Sequence, residues 1–231
     1  MAGPLTAVSG HTPAPDPGDE GRLQSEAPEH DWAAAAGHVF PALRPPGTHG
    51  VQLAELDEAH LATEGTKTHA LALLDPGPAD LAVAYVLRTP AFDVVINADH
   101  LLTWAISAET LRETAMTNLR AWSASAPWTD ELSDGRHLLS SDTGDGGDAA
   151  RILLPEARAH IAGECGAPAR VLVALPDRDL LVAGSLNAAD TEFPGQLEAF
   201  VLQVVEDAHE PIDRRLFELV GEQHELVPFG A

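Results

Sequence analysis

Three apolar runs crowd into residues 70–74, 81–87 and 92–96, and a helical stripe follows them at once, so strands come in a group and not singly between helices. Asp75-Pro76-Gly77-Pro78-Ala79-Asp80 and Thr89-Pro90-Ala91 separate the runs. Short β-rich runs joined by Pro/Gly turns predict an antiparallel three-strand meander. Downstream, Asn97 offers a side-chain oxygen to cap a short helix through Trp104, and Ser107 offers one to a second helix from 108 to about 123. Leu111, Ala115, Leu119 and Trp122 recur at steps of four, four and three, which puts them on one stripe facing a sheet.

The remaining chain supplies a second group. Residues 170–175 and 180–184 are apolar runs around Pro176-Asp177-Arg178-Asp179, the pattern of a β-hairpin. Leu197, Phe200, Val201, Val204, Val205 and Ala208 then trace a helical stripe stopped by Pro211, with a shorter amphipathic helical segment through Leu216, Phe217 and Val220. Asp148 is placed to cap a helix starting at 149, in which Pro155 must either kink the helix or restart it from a first-turn position. Grouped strands and two helical stripes predict an α+β fold: an antiparallel sheet, made of the meander plus the hairpin, packed by helices as a two-layer sandwich. The expected organisation is a disordered Pro/Gly-rich acidic tail over 1–30, then one α+β domain over 31–231 with a mobile connection at 123–147, a stretch rich in Ser, Asp, Gly and Thr with no sustained period. Before the meander, Ala33 to Ala36 favour a short helix leading to Phe40-Pro41-Ala42-Leu43.

Charge excludes some partners. Thirty-six acidic side chains against 13 basic ones give a formal charge of −23, and phosphate binding needs clustered cations to displace counterions, so neither nucleic acid nor an anionic membrane surface is expected. No window approaches the ~18 uncharged apolar residues of a membrane span, and the first residues lack a secretion signal's basic start and apolar core. Cys165, the only cysteine, forms no internal disulfide, which fits a reducing compartment, and a cytoplasmic protein is expected. Glu164 beside it disfavours the thiolate a nucleophile needs, so the thiol reads as structural.

Several ordered landmarks carry a resemblance: Phe40-Pro41, Tyr85-Val86 with residues 97–104, Ala115 with Asn118-Leu119, Gly146-Gly147-Asp148-Ala149 with Leu153-Leu154-Pro155, and Pro176-Asp177-Arg178-Asp179-Leu180-Leu181. In this order and spacing they resemble the YtpQ-like family of uncharacterised bacterial proteins, a domain of unknown function, over about residues 39–220. The resemblance implies a fold and a cytoplasmic bacterial origin, with no activity, ligand or catalytic residue to carry over.

Chemistry must therefore be weighed residue by residue. Asp142, Asp145, Asp148, Asp177 and Asp179 form the densest acidic constellation, and the loop Asp142-Thr143-Gly144-Asp145-Gly146-Gly147-Asp148 has the oxygens and glycines a hard divalent cation requires. It lacks calcium-loop spacing, and a solvated linker ending in a helix cap accounts for the same residues. Arg178 between Asp177 and Asp179 is either an anion-gripping group beside a base or a plain charged turn. Eleven histidines are scattered without a zinc-helix motif, and neither a nucleophile elbow nor a phosphate loop is present, so no catalytic residue is assigned. Trp128, beside Pro127 in the polar connection, is a candidate interaction surface, whereas Trp104 and Trp122 belong to core stripes. The leading expectation is a non-enzymatic protein-interaction or adaptor/chaperone-like module that binds a protein partner or itself. The competing one is a divalent-metal hydrolase or anionic-ligand enzyme using Asp145, Asp148, Asp177, Arg178 and Asp179, with a divalent metal as its cofactor.

Overall fold

Pairing of the strands around Tyr85 gives the first half of the molecule its frame. A computed structural model describes residues 28–56, 70–89, 92–133, 136–166 and 170–230. All but the last three residues of the expected tail, 28–30, lie outside these. Asp31 caps α1 (Trp32–Ala35), which leads through a 3-10 turn into β1 (Val39–Arg44). β2 (Val51–Gln52), β3 (Leu73–Pro76), β4 (Ala82–Arg88) and β5 (Asp93–Val95) complete a five-stranded sheet in the order β1-β4-β3-β2, with β5 also on β4. β1 runs the length of one edge of β4, while β3 and β5 share its other edge, and all three lie antiparallel to it. The three expected strands form and pair antiparallel, but not as a meander: β3 and β5 are each short enough to share one edge of β4, and β1 takes the other. Pro41 fits within β1 because that strand is an edge, where a missing N–H breaks no ladder.

Two of the three predicted caps form; Asp148 caps nothing, because its carboxylate is taken by Ser141 and Thr143. Asn97 Oδ1 accepts from His100 N at 3.3 Å while His100 Nδ1 accepts from Asn97 N at 3.2 Å, closing a reciprocal box at the start of α2 (Ala98–Trp104). Ser107 Oγ accepts from Thr110 N at 3.1 Å and starts α3 (Ala108–Ser125). α3 buries Leu111, Ala115 and Leu119 completely, and Asn118 on it donates to the Ala36 and Val39 carbonyls at 2.6 and 2.8 Å, fixing the helix along β1.

The stretch at 123–147, expected as a mobile connection, holds two strands: β6 (Thr129–Ser133) pairs with β7 (Arg136–Ser141) as a hairpin. Its polar composition hid them, because β6 lies on a sheet edge and needs no apolar alternation. After β7 a 3-10 turn at Ala149–Leu153 precedes α4 (Pro155–Cys165), so Pro155 restarts the helix at its first turn. The expected hairpin follows as β8 (Arg170–Asp177) and β9 (Leu180–Leu186), then α5 (Phe193–Asp207) on the predicted stripe. The shorter amphipathic segment is corrected: residues 216–220 are strand β10 (Leu216–Val220), paired to β8 and to β11 (Glu225–Pro228). Five residues are too few to hold a helix alone, and neighbouring unpaired strand edges supply the partners that decide their conformation.

The second sheet runs β11-β10-β8-β9-β7-β6, antiparallel throughout. Two mostly antiparallel sheets with helices make the fold an α+β sandwich type. The alternation along β8 explains its continuous apolar run: Val171, Val173 and Leu175 enter a core shared with Leu43, Leu73, Tyr85 and Leu87 of the first sheet, while Leu172 and Ala174 pack under Leu197 and Val201 of α5. Among the described residues no helix is long and apolar enough to cross a membrane.

Candidate functional site

The acidic residues singled out from the sequence meet at a junction between the sheets. The turn after β8 carries Arg178, whose Nη1 donates to Asp93 and Glu210 at 3.0 Å each, with Asp179 3.6 Å from its Nε. Asp179 Oδ1 accepts from Gly146 N at 2.5 Å, which brings the Asp/Gly loop onto the turn. Asp177 accepts from Asp179 N at 2.9 Å and from Glu210 N at 3.3 Å. Asp148 is fully buried and accepts from Ser141 Oγ at 2.5 Å, Thr143 N at 3.1 Å and Thr143 Oγ1 at 2.8 Å. Asp145 accepts from Trp122 Nε1 at 3.3 Å, whereas Asp142 points away, exposed, to the outer face of the second sheet. Asp145, Asp148, Asp177, Arg178 and Asp179 are thus brought together, and each of the five is engaged by protein groups.

Burial sets the electrostatics of this junction. It raises the Asp179 carboxyl above the usual range against the pull of Arg178 and the Gly146 N–H. Burial also opposes the charge on Arg178, but Glu210, Asp93 and Asp179 outweigh it and hold that guanidinium firmly protonated. Arg88 is lowered by burial, and its Nε and Nη2 find no hydrogen-bond partner among the described residues. Its guanidinium instead lies 3.9 Å from the Phe40 ring centroid and 5.8 Å from that of Trp122, where the ring faces attract it. Gly147 is required for this packing, since a Cβ there would stand 2.9 Å from both Arg88 Nη2 and the Trp122 ring. Gly146 has a φ of +74° and faces Arg178 just as closely, so a side chain fails there on both counts.

Arg151 closes the same region from behind. It is 1% exposed, donates to Ser141 Oγ, Ser123 Oγ and the carbonyls of Ser123, Ala126 and Pro127, and burial pushes its guanidinium down to about 10. Trp128 lies 3.7 Å under that guanidinium and 5.2 Å from the His160 ring, half-buried against the core. With Arg151, Arg178 and the aspartates bonded this way, the junction behaves as a polar clamp joining both sheets, the Asp/Gly loop and the segment around Glu210.

An open site lies elsewhere, on the outer face of the second sheet. Leu138, Leu180 and Val182 from β7 and β9 meet Phe193, Leu197 and Phe200 of α5 in a groove of about 420 Å³, edged by Glu131, Arg136, Ser140, Asp142 and Gln196. Its size and apolar floor are those of a binding groove. Arg136 is held by a two-point contact with Asp190 and by Gln196 Oε1 at 2.5 Å, so Glu131 and Asp142, both exposed, set the charge of the rim. Phe200 keeps 43% of its surface exposed. Sequence reasoning placed Phe200 and Leu197 on a core stripe and passed over Leu138; the readable signal was that this stripe spans more of α5 than one sheet face can cover.

The other face of the same β6–β7 hairpin gathers Asp130 and His137 against Glu164 of α4, with one ligating atom of each within 4.8 Å of the others. Cys165 lies next to them, 2% exposed, its thiol pushed up to about 12 by burial and by the charges of Asp130 and Glu164. Comparison of the chain with protein-family models, curated proteins and solved structures finds no match in any of the three.

Proposed function

We propose that this protein is a protein-interaction module whose outer-face groove takes a basic, amphipathic segment of a partner protein. The observation that carries the reading is the groove itself: six apolar side chains line an open trough between α5 and strands β7 and β9, and its uncommitted rim charges are the carboxylates of Glu131 and Asp142. A segment that buries leucine-like side chains on the floor and sets lysine or arginine over the rim satisfies both features. The formal charge of −23 favours the same partner by steering cations toward the surface and repelling a second copy of the chain. The clamp at Arg178, by contrast, has its charges paired within the protein, which supports a structural part for it in preference to metal or anion chemistry. Membership of the YtpQ-like family belongs to the same proposal, supported by the order of short motifs.

A helical leucine/lysine peptide titrated into the protein tests this, with a leucine/glutamate peptide as control. Saturable binding of the basic peptide that weakens with salt and is lost in Phe200→Glu supports the groove; binding left intact by Phe200→Glu, or none at all, defeats it.

A further inference from the structure

The β6–β7 hairpin has two chemically different faces. Glu131, Leu138 and Ser140 point to the groove, while Asp130, His137 and Leu139 point back toward α4, as the period of a strand requires. On this rear face we propose a divalent transition-metal site, of the zinc class, formed by Asp130, His137 and Glu164. It is independent of the groove.

Three elements deliver the ligands. Asp130 comes from β6, His137 from β7 and Glu164 from the last turn of α4, and their oxygen, nitrogen and oxygen donors all lie within 4.8 Å of one another. His137 Nε2 stands 2.5 Å from Asp130 Oδ1. Ligands bound at about 2.0–2.2 Å to a tetrahedral zinc lie about 3.3–3.5 Å from each other, so this pair opens by roughly 1 Å to admit an ion. One imidazole with two carboxylates suits zinc and its neighbours better than calcium or magnesium, which favour all-oxygen sets.

The charges around the triad point the same way. Glu164 accepts no hydrogen bond and no ion pair from any described residue, yet it converges with Asp130 on a single imidazole. A metal takes the imidazole in its neutral form, so the two carboxylates leave a charge of −2 that a divalent cation balances. The Asp130 side chain is 53% exposed and that of His137 18%, so the ion has a path from solvent and a coordination position open to water. The Cys165 thiol lies beside the triad but is held protonated and buried, and it is not counted as a ligand. His160 precedes Glu164 by one helical turn, on the same side of α4, with its ring against Trp128. The bound ion ties the hairpin to the end of α4.

The test uses the tag-free full chain with zinc alone in calorimetry and thermal melting, and with cobalt as an optical probe. One ion per chain, a raised melting temperature and a visible cobalt absorption band are expected. His137→Ala abolishes all three, and Glu164→Gln, a surface change that leaves folding intact, weakens zinc binding on the order of tenfold or more, the scale on which even outer-shell partners act. His209→Ala, at an exposed histidine outside the triad, changes nothing. Absence of both the cobalt band and the thermal shift in the unaltered protein overturns the proposal. So does zinc binding that survives undiminished in both His137→Ala and Glu164→Gln, since the remaining histidines then hold the ion.

Discussion

The clamp around Arg151 and Arg178 and the groove under α5 are opposites. In the clamp, charged side chains are buried and joined: Arg151 is 1% exposed with five hydrogen-bond acceptors, and Asp148 is closed in by Ser141 and Thr143. In the groove, Val182, Phe193 and Leu197 pack as an apolar floor with Leu138 and Leu180 half-buried against them, and Phe200 is left standing in water. Polar residues that sequence alone marks as reactive are used here to hold the sheets together, because a buried charge is stable only when its bonds are complete. The surface left for binding is greasy, since an apolar floor gains most from being covered by something else.

If that contrast is right, stability and binding separate by region. Arg151→Ala has the largest effect: it leaves the Ser141 hydroxyl and three backbone carbonyls without their buried donor and removes the positive charge near the buried Asp148, at about 3–5 kcal/mol, read as a lower urea midpoint. Lysine at 151 recovers little, because one ammonium cannot reach acceptors spread around a planar fork. Leu175→Ala, in the core between the sheets, costs about 2–5 kcal/mol through lost burial and a cavity. Peptide binding by either variant, measured where it is still folded, stays unchanged.

Cys165 gives a smaller effect that reports on the sealed side alone. The folded thiol titrates near 12 against 9.0 when unfolded, so the native state keeps its proton longer. This contribution to stability is complete below pH 9.0 and is lost as pH rises toward 12, so the urea midpoint falls through that alkaline window and Cys165→Ala flattens the fall. Alkylation of the native thiol is correspondingly slow and becomes fast on unfolding. Phe200→Ala stands last on the stability scale, within about 0.5 kcal/mol for a side chain already half in water, yet it weakens the leucine/lysine peptide. A large loss of stability from Phe200→Ala, or a loss of binding from Leu175→Ala in its folded state, breaks the contrast.

Local signals decided much of the architecture in advance. Asn97, Ser107 and Pro155 start their helices as their chemistry dictates, and the runs at 70–96 and 170–184 become strands because they are apolar, short and bounded by turn formers. These effects act over a few residues, so the chain alone contains them. Leu216 to Val220 needed the free edges of β8 and β11 to become a strand, and β6–β7 needed the edge of β9, contacts no local pattern encodes. The sites depended on the same long reach. The aspartates at 145, 148, 177 and 179 were visible as a cluster, but Trp122, Ser141, Thr143 and Gly146, which occupy three of them, became partners only in the folded chain. His137 drew no notice in a polar stretch until pairing set it beside Asp130 and packing brought Glu164 from 27 residues along the chain. Sequence determines which segments form and which faces are apolar; tertiary structure decides which charges are neutralised and which surface stays open, because both depend on groups far apart in the chain coming within a few ångströms.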